Sequence, residues 1–237
     1  MDIYLYLICF GVPMLLAMFA QGLVKSRYAA ASKVPARYRT RSGGEGLISG
    51  AEAARIILDS AGLRDVPIRQ INAGALTDYY DPRNRQICLS GDIYNGTSLA
   101  DVGIAAHEAG HAIQHAQNYV FLNLTQAAFP IARFGSQFSF YFLLAGLGLN
   151  ILQLAWAGVA LFGFAAVYQI INLPVEYNAS SRAKKHLAAL GLVDSSEMVY
   201  VRNVLGAAAL TYVAAMLSAF FQFVYFFLRL LSAQSRG

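Results

Sequence analysis

Leu99-Ala100-Asp101-Val102-Gly103-Ile104-Ala105-Ala106-His107-Glu108-Ala109-Gly110-His111-Ala112-Ile113-Gln114-His115-Ala116-Gln117 decides how the rest of the chain is read. Ser98-x-x-Asp101, with Asp in place of the usual Glu, resembles a capping box and predicts a helix over 99–117. Within it, His107-Glu108-Ala109-Gly110-His111 has the pattern H-E-x-x-H. Residues four apart share one helix face, so two imidazoles at this spacing can converge on a single ion. Glu108, next in sequence to His107, can approach water at that ion and act as a proton acceptor. Asp101, His107, Glu108, His111, Gln114 and His115 make this helix too polar to lie in lipid, which argues against a site-two-type intramembrane arrangement.

A catalytic zinc takes three protein donors as a rule. His115 is a poor third, because on a straight helix it stands about 12 Å along the axis from His107. No helix-breaking Gly follows His111, so His115 reads as a supporting or surface residue. The Glu residues outside the motif are Glu45, Glu52, Glu176 and Glu197. Glu176 stands out in Leu173-Pro174-Val175-Glu176-Tyr177-Asn178-Ala179-Ser180-Ser181-Arg182, where it directly follows a long apolar run. It is either the third ligand or an interfacial acid paired with Arg182 or Lys184, and the ligand role is expected because no other donor presents itself. Gly110, inside the helix, would let a second helix approach, and the one bearing Glu176 is the candidate.

The chain has 237 residues, 57% of them hydrophobic and 13% charged, against about 25% charged in soluble domains. The deficit lies in long uncharged stretches: 3–24, 138–173 and 204–228. A span needs roughly 20 residues, so the first and last stretches make one span each. The middle one makes either a hairpin of two short spans, turning near Gly148-Leu149-Asn150, or one long tilted span. The first stretch lacks a basic leader and an A-x-A-like cleavage site, so it reads as an anchor rather than a signal peptide.

The net charge of +5 is not a nucleic-acid signature. Lys25, Arg27, Lys33, Arg37, Arg39 and Arg41 follow the first span, and Arg182, Lys184 and Lys185 follow the middle block. Basic residues beside spans mark the cytoplasmic side. Both clusters favour one side, and a site built from His107 and Glu176 requires one side too, so the hairpin is expected. The result is four spans, both termini outside, and a site facing the cytoplasm. Cys9 and Cys88 form neither a disulfide framework nor a metal pair.

The expected organisation is a transmembrane helix at 3–24, a cytoplasmic domain at 25–137, a two-span hairpin at 138–173, a helical segment with the third ligand at 174–203 and a last transmembrane helix at 204–231. In the polar domain, residues 25–45 read as a basic linker with Gly43-Gly44 near its end. Ser49-x-x-Glu52 opens a helix to about Ala61, stopped by Gly62. Residues 66–71 and 86–90 read as strands, with a turn at Asp81-Pro82-Arg83-Asn84.

Together these features resemble the YugP-type neutral zinc metallopeptidases of bacterial membranes. The resemblance spans nearly the whole chain. It includes Ser32-Lys33-Val34-Pro35, Leu76-Thr77-Asp78-Tyr79-Tyr80-Asp81-Pro82, His107 to His115 with Ala116-Gln117, Leu173-Pro174-Val175-Glu176 and Ala207-Ala208-Ala209-Leu210-Thr211-Tyr212-Val213. It implies a mostly helical α+β membrane protein with a small zincin-like catalytic domain. It also implies a gluzincin set: Zn2+ on His107, His111 and Glu176, with Glu108 as base. The family is similar in plan to HtpX-like and CAAX-processing proteases, which have an Asp four residues after the ligand Glu. Here that position is Ser180, which leaves the groups supporting the ligands open, with His115, Asn178 and Arg182 as candidates. In similar peptidases an edge strand beside the motif helix holds the substrate, and Gln86 to Ser90 is the strand expected to do so, an ordinary core strand being the other reading.

The expected function is a zinc-dependent endopeptidase of the bacterial inner membrane. Its partners would be peptide or membrane-protein substrates and the lipid bilayer, with no nucleic acid. The rival is a zinc-containing membrane scaffold or chaperone without catalysis, against which an intact Glu108 counts. A di-iron enzyme would need a second Glu-x-x-His pair, and a zinc transporter would need ionisable residues lining the spans.

Overall fold

The computed structural model describes residues 3–39, 44–72, 74 and 76–234, so Arg41 and Gly43 of the sequence reading lie outside the described residues. The chain is mostly helical with small sheets, and it divides into two compact units.

One unit comprises Gln21–Tyr119 and Val175–Ala209. A short antiparallel hairpin, β1 (Arg37–Arg39) with β2 (Glu45–Leu47), precedes helix α3 (Gly50–Ser60). Both halves of its capping box are made: Glu52 N–H donates to Ser49 Oγ at 3.2 Å, and Ser49 N–H donates to the Glu52 carboxylate at 2.8 Å. At the far end Gly62 takes φ +77°, and Leu63 N–H reaches back to the Leu58 carbonyl at 2.8 Å. This six-to-one bond through a left-handed residue is a Schellman stop, and glycine adopts it without a Cβ penalty.

Strands β3 (Ile68–Ile71), β4 (Tyr79–Asp81) and β5 (Gln86–Ser90) form a mixed sheet in the order β3-β5-β4. Strand β5 pairs in parallel with β3 and antiparallel with β4. The strand expected at the sheet edge is therefore its centre, with both flanks paired, and it cannot accept a substrate backbone. Its residues Ile87, Cys88, Leu89 and Ser90 are buried in succession, as suits a strand covered on both faces. The edge next to it in the antiparallel direction belongs to β4.

After the short helix α4 (Gly91–Asn95) comes α5 (Leu99–Ala116), with a complete Ser98/Asp101 capping box. Every residue of α5 from Leu99 to Ala106 is buried, as are Glu108 to Gly110 and Ala112 to Gln114. A helix buried on all sides belongs at the middle of a core. Ile57, Leu58, Leu89, Ile93, Leu187 and Leu192 share that core with it, and each such side chain contributes about 1.5–3 kcal/mol when fully buried. Asn118, at φ +51°, ends α5 by the same six-to-one device, Tyr119 N–H donating to the Gln114 carbonyl at 3.0 Å.

The other unit comprises Met1–Ala20, Val120–Pro174 and Leu210–Gly237. Its described part is helical. Helix α1 (Ile3–Tyr6), a π turn (Leu7–Gly11) and α2 (Val12–Ala31) run on without interruption. The π turn, closed by Val12 N–H on the Leu7 carbonyl, lies just ahead of Pro13. Widening the helix there relieves the clash of the ring with the preceding turn.

Helix α6 (Val120–Gly148) starts well before the uncharged stretch and is followed by α7 (Leu152–Ala189) and α8 (Met198–Gln234), of which residues 175–189 and 198–209 belong to the first unit. Between α6 and α7, Asn150 takes φ +55° and Ile151 N–H donates to the Gly146 carbonyl at 2.8 Å. Small residues let α6 and α7 touch: a Cβ on Gly146 would strike the Ala155 backbone, one on Gly158 would lie 2.7 Å from the Ser139 carbonyl, and one on Gly135 would lie 3.0 Å from that of Leu161. Among the described residues, three helical stretches are long and apolar enough to cross a membrane: Ile3–Ala31, Leu152–Ala189 and Met198–Ser232. Helix α6 is not one of them, since Asn123, Gln126, Arg133 and Gln137 dilute its apolar character.

Candidate metal centre

The centre is assembled from one face of α5 and one turn of α7 within a single unit. His107 and His111 stand one turn apart on α5, with ring centroids 4.7 Å apart and planes at 84°. Their Nε2 atoms approach to 3.2 Å. Glu176, 69 residues beyond His107, brings Oε2 to 3.3 Å from His107 Nε2 and 3.6 Å from His111 Nε2. One atom from each of these residues thus forms a compact triangle able to hold a metal ion.

The donor set fits zinc by both chemistry and spacing. Two imidazoles and a carboxylate are ordinary zinc donors, and bond lengths near 2.0–2.1 Å in a tetrahedron put neighbouring donors about 3.3–3.4 Å apart. The three separations of 3.2, 3.3 and 3.6 Å bracket that value.

Gly110 explains how α7 comes close enough. A Cβ there would lie 2.5 Å from the Ala179 carbonyl oxygen, so the helix backbones meet where α5 has no side chain. The glycine inside the motif is a consequence of that contact.

The outward nitrogens of both imidazoles are also engaged. His107 Nδ1 lies 3.1 Å from Ser180 Oγ, and His111 Nδ1 lies 3.0 Å from Gln114 Oε1. The Gln114 amide is fully buried, and its nitrogen donates to the Val175 carbonyl at 2.7 Å and to Asn178 Oδ1 at 3.0 Å. Those two acceptors fix which end of the amide is oxygen, so His111 Nδ1 must carry the proton it donates. The Nε2 lone pair is then left facing Glu176, the tautomer that a metal requires. Arg182 continues the chain, donating from Nε to Asn178 Oδ1 at 2.7 Å and from a terminal nitrogen to Gln117 Oε1 at 2.6 Å.

Of the expected supporting residues, Asn178 and Arg182 join this network. His115 points elsewhere, with Nδ1 2.8 Å from the Tyr80 hydroxyl of β4. The sequence reading counted Gln114 only as polarity and Ser180 only as a departure. The available signal for Gln114 was its place three residues after His111 on the face of the two motif histidines, since a buried amide has to be bonded.

Glu108 is 7% exposed. Burial pushes its carboxyl above the ordinary range, the charges of His107 and His111 oppose this, and Glu176 adds to it. Burial by itself would depress His111. The hydrogen bond to Glu176, the charges of Glu108 and Glu176 and the Gln114 contact outweigh it and push the imidazole up to about 9. The pocket therefore attracts positive charge, whether a proton or a metal ion.

A family described as "Putative neutral zinc metallopeptidase" matches residues 6–231. The chain belongs to that family. It is also similar to a protein of Bacillus subtilis (strain 168) described as "Putative membrane protease YugP", with 42% identity over 222 residues, covering 94% of this chain and 95% of the relative. No solved structure matches the chain. As a zinc peptidase family member with a His/His/Glu group that could hold a metal, the chain has zinc as its cofactor.

Proposed function

We propose that the protein is a membrane-bound zinc endopeptidase in which His107, His111 and Glu176 hold the ion and Glu108 is the general base. The observation that carries this is the triangle of donor atoms 3.2 to 3.6 Å apart, with the buried Glu108 beside it. A bound zinc supplies Lewis acidity, polarising the scissile carbonyl and acidifying water. Glu108, with a raised affinity for protons, takes the proton from the attacking water and passes it to the leaving amine. Ser180 and Gln114 hold the imidazoles in orientation through their Nδ1 atoms. An extended peptide adds to the outer edge of β4, whose backbone supplies affinity with little sequence preference.

Connectivity supports one placement in the membrane. His107 precedes α6 and α7, Glu176 follows the apolar part of α7, and the two meet in one site. The intervening chain therefore crosses an even number of times, so if α7 spans, α6 spans with it. This yields a multi-pass protein of the bacterial inner membrane with four spans and, by the basic residues Lys25, Arg27, Lys33 and Arg182 to Lys185, a site on the cytoplasmic face. The substrates are peptides or membrane proteins, in quality control or processing.

The test is zinc content together with casein or peptide cleavage, on wild type beside Glu108→Gln and Glu176→Ala. Wild type should hold one zinc and cleave. Glu108→Gln should keep the metal but lose cleavage, and Glu176→Ala should lose the metal. Identical behaviour of Glu108→Gln and wild type would instead favour a zinc-containing scaffold.

A further inference from the structure

Arg133 is the feature of α6 that the metal centre does not explain. It is exposed, and among the described residues no acid pairs with it. Asp2, outside the described residues, is the sole acid in the sequence of its unit.

Its depth follows from helix packing. Gly135 of α6 sits against Leu161, near the middle of the uncharged part of α7, residues 152–173. Arg133 is thus level with the centre of α7's apolar run, about 15 Å from either end at 1.5 Å per residue. The stem of an arginine does not reach headgroups from there, and snorkelling serves residues near helix ends. A guanidinium at mid-membrane depth marks a site whose partner has to be named.

The residues around it make a stripe. On a helix of 3.6 residues per turn, Arg133, Gln126, Gln137, Pro130 and Asn123 fall within about 80° of one another. The face that packs inward is different, with Ala132, Gly135, Ser139, Leu143 and Gly146 buried. An exposed guanidinium at that depth with no acid beside it calls for an acceptor-rich occupant. A second copy of α6 does not qualify, because a two-fold pairing there would oppose one Arg133 to another.

We propose that this stripe docks a foreign transmembrane helix that carries an Asp or Glu at mid-membrane depth, its carboxylate taken by Arg133 in a bidentate pair. Arginine suits this role because its planar fork matches a carboxylate. The inference rests on the reading that α6 lies in the membrane. It makes the enzyme's choice among membrane substrates depend on an intramembrane charge, apart from the metal centre.

The experiment measures binding, so it does not depend on cleavage. The Glu108→Gln protein is placed in phosphatidylcholine nanodiscs, with and without phosphatidylglycerol. Energy transfer then reports association with single-span peptides that are identical except for Glu, Gln or Lys at mid-span. The Glu peptide should bind about five- to thirtyfold more tightly than the Gln peptide, the range found for interhelical hydrogen bonds. Arg133→Leu should abolish the difference, and Arg133→Glu should transfer the preference to the Lys peptide. Casein cleavage by each Arg133 variant in an otherwise wild-type chain serves as the check of folding. Equal binding of all three peptides, or a Glu preference that survives Arg133→Leu, overturns the proposal. So does a loss on substitution that is equal for all peptides and appears only with phosphatidylglycerol, which would make Arg133 a lipid contact. Any of these leaves the metallopeptidase reading standing, whereas that reading fails if wild type does not cleave even though the charge swap succeeds.

Discussion

Replacing Gln114 with Leu is the most informative perturbation of the metal centre, because it preserves volume and removes only polarity. The wild-type amide, itself without solvent access, accepts from His111 Nδ1 at 3.0 Å and donates to Val175 and Asn178 at 2.7 and 3.0 Å. With Leu in place, the His111 Nδ1 proton has no acceptor, which costs about 1–3 kcal/mol for a buried group. The ring can escape that cost by moving the proton to Nε2, but then the lone pair needed for the metal is gone. Either route weakens zinc binding, and loss of such a supporting bond typically costs ten- to a hundredfold in affinity. The assay is competition against a chromophoric chelator at fixed pH. Gln114→Glu separates the two functions of the amide, since its carboxylate still accepts from Nδ1 but cannot donate to Val175 or Asn178. It should retain zinc better than Leu while lowering the thermal midpoint of the metal-free protein. Wild-type zinc affinity in Gln114→Leu would refute the claim that this amide sets the His111 tautomer.

Four further outcomes are expected. Ser180→Ala should weaken zinc binding and Ser180→Asp should tighten it, because a carboxylate on His107 Nδ1 makes the ring a stronger donor; the same competition titration decides. Gly110→Ala should lower the thermal midpoint, since the added Cβ would sit 2.5 Å from the Ala179 carbonyl and overpacking costs about 1–3 kcal/mol, more than the roughly 1 kcal/mol of helix propensity gained. The rising acid limb of kcat/KM should lie above the ordinary glutamate range: burial raises the pKa of Glu108, the base form is the ionised one, and it is therefore lost as pH falls through that raised value. Zinc affinity should fall as pH is lowered below about 9, because the metal displaces the proton held by His111; calorimetry in buffers of different ionisation enthalpy should register the released proton.

Some of the architecture was readable because the rules behind it act over a few residues. Ser49 with Glu52 and Ser98 with Asp101 make both capping boxes, and Gly62 stops α3. Other parts were not. The sheet order needed the pairing of β3 and β4 on the two sides of β5, and no pattern inside Gln86–Ser90 carries that information. Helix α6 begins at Val120, well ahead of the uncharged stretch, because Arg133 interrupts the apolar run without interrupting the helix.

The metal centre divides along the same line. By itself the sequence determined that His107 and His111 share a helix face, that Glu108 lies beside them, and that long apolar stretches belong in a membrane. Those follow from helix periodicity and transfer energies, which are local. Only the tertiary structure decided that Ser180 and Gln114 hold the imidazoles, that His115 turns to Tyr80 instead, and that Gly110 is the point where α7 closes on α5. Apart from the bond of Gln114 to His111, whose amide is itself aimed by Val175 and Asn178, these depend on contacts between residues some 35 to 73 apart in sequence, and packing alone selects such pairs.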